Sequence, residues 1–174
     1  MNNKERALLV AERVHANQTY DIYPYIYHVK QVAYILEELG YDETIVIAGI
    51  LHDCLEDGDL TYNDIKKAFG LEVAEIVFAV TDEVGRNRDE RKRKTYPKIR
   101  NNWKAVVVKI ADRIANIVHS MKYNKTMFNM YAKEHNGFCS ALMSGEHNHN
   151  ETNRAWEKLH KITKTKEDEK TSDD

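Results

Sequence analysis

Apolar residues recur along this chain at helical spacing, and the places where that rhythm breaks hold most of the information. Ala7, Leu8, Ala11 and Val14 form one stripe and predict a helix over residues 4–15. Residues 19–27 are a tyrosine-rich link in which Pro24 disfavours a helix. Val29, Val32, Ala33, Leu36 and Leu39 predict a helix over 26–39, with Gly40 placed to end it. Asp42 is a candidate cap for the next helix, which runs through Ile45, Ile47, Ala48, Ile50 and Leu51 to about Leu55. That segment is apolar almost all round until His52, the pattern of a buried central helix.

Thr61 with Asp64 three residues later has the form of a capping box and opens a short helix ending at Gly70. Another helix is predicted over 71–80. Residues 82–102 turn polar and strongly basic, consistent with a solvated helix or a loop. The valines at 106–108 favour a strand locally. The continuation through Ile110, Ala111, Ile114 and Ile117 has the helical period, however, so the whole of 103–121 reads as helix. Helices near 125–143 and 152–162 complete the set. Residues 164–174 are charged and lack apolar side chains, which predicts a disordered tail. The expected fold is therefore all-α: one helical-bundle domain over residues 1–163, then the tail.

Composition narrows the class. Seven Gly and two Pro are few for 174 residues and agree with helices. A formal net charge of −2 supplies no field that would gather nucleic acid. No apolar run approaches the ~18 residues of a membrane span. Cys54 and Cys139 are isolated thiols behind a polar N-terminus, which points to a reduced, cytoplasmic setting. Oligomeric state leaves no trace in the sequence.

Three polar clusters interrupt the apolar helices. They are His28; His52-Asp53 with Glu56-Asp57 one turn on; and Lys109, Asp112, Arg113 and Asn116. The last four are spaced i, i+3, i+4, i+7 and share a helix face. Two imidazoles and two carboxylates are costly to bury together, and a divalent cation is the simplest compensation. Nitrogen with oxygen donors suits Mn, Fe, Zn, Co or Ni better than Ca or Mg. Such an ion acidifies a water and offsets phosphate charge. Glu56 and Asp57 are then candidates for handling the water's proton. Lys109, Arg113 and Asn116 either contact phosphate or form a satisfied stripe that supports Asp112. Part of the basic run from Arg86 to Arg100 is a further candidate for phosphate. His147 and His149 look like a metal tract but read as a loop.

These residues carry a resemblance. The stretches are 24–28 (PYIYH), 51–57 (LHDCLED), 90–93 (ERKR) and 108–116 (VKIADRIAN). In order and spacing the chain resembles the HD superfamily of metal phosphohydrolases, and within it the alarmone hydrolase group. The resemblance implies an HD-type bundle holding one divalent metal, Mn²⁺, through His28, His52, Asp53 and Asp112. It implies a catalytic acidic pair at Glu56 and Asp57, and nucleotide contacts at Lys109, Asn116 and Tyr131. The reaction implied is removal of the 3′-pyrophosphate of (p)ppGpp. The chain departs from the pattern in two places. Val29 stands where the group has Pro, and 18–21 (QTYD) lacks the group's basic residue before PYI. Two other readings therefore stay open: an HD enzyme for another nucleotide, such as a dNTP or a nucleoside monophosphate, and a nucleotide-binding module without catalysis.

Overall fold

The computed structural model describes residues 1–56, 60–143 and 149–170. α1 (Asn3–Val14) opens on a capping box. Asn2 accepts from the Glu5 amide at 2.8 Å, and the Glu5 carboxylate accepts from the Asn2 amide at 2.9 Å. The tyrosine-rich link folds back as a minimal hairpin of β1 (Thr19–Tyr20) and β2 (Tyr23–Pro24), paired antiparallel. Its turn places Asp21 at φ 57°, a conformation short polar side chains tolerate.

α2 (Ile26–Glu38) ends as Gly40 predicts. At φ 72°, Gly40 donates to Glu37 O at 2.9 Å while the Tyr41 amide reaches Leu36 O at 3.1 Å. α3 (Glu43–Leu51), capped by Asp42, is buried from Ile45 to Leu51 and is the central helix its sequence predicts. Around it stand α1, α2, α5 (Leu71–Val80) and α7 (Trp103–Tyr123). The predicted capping box at Thr61 and Asp64 opens α4 (Tyr62–Phe69). The basic stretch forms α6 (Arg88–Arg100), capped by Asn87, which accepts from the Glu90 amide at 2.9 Å. α8 (Lys125–Met143) packs on α6 and α7, and α9 (His149–Lys170) packs on α7. Among the described residues no helix is long and apolar enough to cross a membrane.

Three boundaries differ from expectation, one of them the start of α9 at His149, which the sequence read as loop. α3 stops at Leu51, not near Leu55. Cys54 N bonds to Leu51 O at 2.9 Å and Glu56 N to Asp53 O at 3.1 Å, so i→i+3 turns replace the helical ladder. The backbone of α9 continues to Lys170, well into the segment expected to be disordered. Lys and Glu are good helix formers, and an existing helix propagates more easily than a new one nucleates. Residues 171–174 lie outside the described residues, as does His147.

α2 and α3 cross at Gly49. A Cβ there would meet Leu36 Cδ1 at 2.4 Å and Val32 Cγ1 at 3.4 Å, and both neighbours are fully buried. Gly49→Ala gains about 1 kcal/mol of helix propensity, but forcing Leu36 off its rotamer costs about 1–3 kcal/mol. Urea unfolding is expected to show a net loss of about 1 kcal/mol. An increase in stability would mean that the helices can part freely.

Candidate metal centre and cavity

His28 sits in the first turn of α2, His52 and Asp53 in the turn after α3, and Asp112 midway along α7. Although far apart in sequence, they converge. His28 Nε2 lies 3.4 Å from His52 Nε2 and 3.3 Å from Asp112 Oδ1. His52 Nε2 lies 2.8 Å from Asp53 Oδ2 and 3.9 Å from Asp112 Oδ1. Both imidazoles are buried.

The ring of His52 is oriented by Gly49. Its Nδ1 is 2.8 Å from Gly49 O, a group that can only accept, so Nδ1 carries hydrogen and Nε2 offers a lone pair to the cluster. His28 Nδ1 is buried without a hydrogen-bond partner. Tyr20 stacks on the His28 ring at 4.7 Å between centroids. The donor set fits a divalent transition metal, because bonds near 2.1 Å put neighbouring donors about 3 Å apart. Burial opposes charge on His52, but Asp53 and Asp112 outweigh it and push the imidazole up to about 9. Burial likewise works against the Asp53 and Asp112 carboxylates. The histidines, and Lys109 beside Asp112, nevertheless hold both well below the usual carboxylate range.

α7 presents its polar stripe to this point. Lys109 Nζ is 3.1 Å from Asp112 Oδ2. Burial disfavours its charge, but Asp112, Asp53 and Asp82 hold the ammonium protonated far above its usual range. Asn116 Nδ2 donates to Asp112 O at 3.0 Å and Oδ1 at 2.5 Å, while its Oδ1 accepts from Tyr20 O–H at 2.8 Å. Its amide is thus committed to orienting Asp112. Arg113 turns away from the cluster toward α8: Nη1 meets Glu134 Oε2 at 3.1 Å, Nη2 donates to Tyr131 O at 2.8 Å, and the guanidinium lies over the Tyr131 and Phe138 rings. Asn116 makes the contacts of a residue that supports Asp112, whereas Arg113 serves Glu134 and Tyr131 instead; Lys109 pairs with Asp112 and also faces open space.

That space is a cavity of about 190 Å³, bordered by Asp53, Glu56, Asp82, Lys109, Asp112 and Tyr131 among others. Glu56 stands exposed at its edge and accepts from the Asp82 amide at 2.6 Å. Its carboxyl is raised to about 7, first by loss of water around it and then by Asp53; the Asp82 amide opposes the rise. Asp57 lies outside the described residues.

Part of the lining is cationic. Arg88 and Lys92, one turn apart on α6, form it with Arg113. All three meet Glu134 of α8: Arg88 Nε at 2.9 Å, Lys92 Nζ at 2.5 Å and Arg113 Nη1 at 3.1 Å. Three cations on one carboxylate leave two positive charges in excess beside the cavity. Tyr25 also reaches the site, where its hydroxyl donates to Asp53 Oδ2; Asp82, Tyr96 and Glu134 were not among the sequence candidates. The basic run hinted at this cationic lining through Arg88 and Lys92 at i, i+4, and the α7 stripe through Arg113.

Burial raises the Glu134 carboxyl, but the hydrogen bonds from Arg88, Lys92 and Arg113 outweigh it and lower the group to about 2. A depressed value stabilises the fold above the unfolded carboxylate's range near 4.5, and that stability is lost as pH falls toward 2. Glu134→Gln is expected to cost about 2 kcal/mol at neutral pH, since the buried Arg113 loses its counter-charge. It should also flatten the acid limb of the stability curve. An unchanged curve in thermal melts between pH 2 and pH 5 would refute this account.

The model of the HD domain family matches residues 7–136. The chain belongs to the HD domain family. Among its relatives is a guanosine-3′,5′-bis(diphosphate) 3′-pyrophosphohydrolase of Aquifex aeolicus. It is 36% identical over 116 residues, which cover 64% of this HD chain and 16% of that protein. The enzyme of the same activity called MESH1 in Drosophila melanogaster is 36% identical over 97 residues, 54% of each chain. This HD chain thus spans about a sixth to a half of these curated relatives. Its fold also matches the solved structure of a metazoan ortholog of SpoT described as hydrolysing ppGpp. The TM-score is 0.76 and the identity 25%, over 95% of this chain and 96% of that one.

Proposed function

We propose that this HD domain, residues 1–163, is a metal-dependent phosphohydrolase that removes the 3′-pyrophosphate of (p)ppGpp in the cytoplasm. One observation carries the reading: two imidazoles and two carboxylates converge beside a cavity whose lining also holds Arg88, Lys92 and Arg113, three cations on the single carboxylate of Glu134. His28, His52, Asp53 and Asp112 hold one divalent ion, Mn²⁺ in this reading. Bound there, the ion lowers the pKa of water and offsets charge on phosphate.

The chain's own groups supply the rest. Glu56, raised to about 7, accepts the proton of the attacking water at its carboxylate and returns it to the leaving oxygen, with Asp57 as its neighbour in the acidic pair. Lys109 stays charged at the cavity and attracts phosphate oxygens. Tyr131 gives the nucleotide an apolar wall. Arg113 and Asn116 act through Tyr131 and Asp112, which they position.

Assay of the metal-loaded protein against ppGpp, pppGpp, dNTPs and nucleoside monophosphates tests this. Pyrophosphate released from ppGpp supports the proposal. Turnover of another nucleotide alone favours the second reading, an HD enzyme with different base recognition. One observation speaks for that reading: the stretch lacking the group's basic residue places Tyr20 over His28 and against Asn116. Tight nucleotide binding without turnover of any substrate would leave a binding module.

A further inference from the structure

A second group of donors, none of them lining the cavity, lies where α8 meets α9. His135 and Cys139 are one turn apart on α8, and His160 faces them from α9. Their ligand atoms all lie within 4.8 Å of one another, and all three residues are partly buried. Cys139 Sγ is 3.6 Å from His135 Nε2, and the two imidazole centroids are 5.7 Å apart. Tetrahedral zinc, with bonds near 2.3 Å to sulfur and 2.1 Å to nitrogen, puts a sulfur and a nitrogen donor about 3.6 Å apart. The observed sulfur–nitrogen separation already has that value.

We propose that His135, Cys139 and His160 form a second metal site, selective for a thiophilic divalent cation such as Zn²⁺, that fastens α8 to α9. The donor chemistry sets it apart from the HD cluster. That cluster offers only nitrogen and oxygen, whereas here a cysteine sulfur joins two imidazoles, a combination suited to zinc or cobalt and poorly suited to Mn²⁺ or Mg²⁺. Among the described residues three protein donors converge, leaving a fourth position for water. The site also has a reporter. The Trp156 ring stacks on His160 at 6.1 Å, and Phe138 packs against that indole. Loading therefore restrains the helix that carries Tyr131 and Glu134, without using any residue of the cavity.

The test is titration of the metal-depleted full chain with Co²⁺ and Zn²⁺ alone. To keep it independent of the HD cluster, it is run on both the natural chain and Asp112→Asn. Co²⁺ is expected to produce a thiolate-to-cobalt charge-transfer absorption in the near ultraviolet in both proteins, at one equivalent per chain. Zn²⁺ should abolish this absorption and raise the melting temperature of Asp112→Asn. Cys139→Ser and, separately, His160→Gln should lose the band, with helical circular dichroism confirming that each variant is folded. A Co²⁺-loaded chain without a sulfur band overturns the proposal. So does a band that persists in Cys139→Ser, or that fails to yield to Zn²⁺.

Discussion

Asp112→Asn is expected to remove metal-dependent turnover by about 10³-fold or more, because a metal centre supplies several kcal/mol of transition-state stabilisation. Asparagine keeps the shape and the partnership with Asn116, but it withdraws the negative oxygen 3.3 Å from His28 Nε2. It also strips Lys109 of the counter-charge at 3.1 Å. Breaking a buried pair costs about 3 kcal/mol; here relief of the repulsion between Asp53 and Asp112 offsets part of that. The variant should therefore fold, melt earlier and retain no Mn²⁺ after desalting, while the parent keeps one equivalent. Unchanged metal content together with unchanged turnover would sink the proposed centre.

Glu56→Gln should behave differently. Loss of a positioned general base costs about 10²–10⁴-fold in kcat, and the metal should stay bound, since Glu56 is not among the proposed ligands. A base works only when deprotonated, so the parent's rate rises as pH passes upward through the Glu56 value. That value is about 7 in the metal-free protein, and a nearby cation moves it lower by favouring the carboxylate. In Glu56→Gln this rising limb should vanish. If kcat and its pH profile match the parent, the proton passes through some other group.

Much of this was legible beforehand, for reasons that can be named. The buried α3 announced itself because a helix without a polar face has nowhere to go but the core. Lys109, Asp112, Arg113 and Asn116 were visible as a polar stripe on an apolar helix, and the stripe alone required a common destination. Its members' separate tasks could not be read. Arg113 answers to Glu134, 21 residues on, and Asn116 to Tyr20, 96 residues back. No local pattern encodes either partner. The end of α3 was missed because residues 52–56 (HDCLE) contain no Gly or Pro; it is marked only by the change to i→i+3 bonding. Glu134 lay in an unremarkable stretch of α8, and only the folding of α6 against it reveals why three cations gather there. The reach of α9 was underestimated because composition was weighed without the helix already running into it.

α7 also has a phasing consequence. Its 21 residues run unbroken from Trp103 to Tyr123, with Asn102 fixing the start and the core holding the far face. Each residue of an α-helix advances the direction of the side chain by about 100°. Deleting one residue between Ala105 and Lys109 would swing Asp112 about a quarter-turn off its mark while turning valines outward. Point changes at Val106 or Val107 are absorbed as packing adjustments, whereas a frame-preserving loss of a single codon here has no such remedy. In any collection of natural variants of this chain, length polymorphism should accumulate in the connections between helices and spare α7.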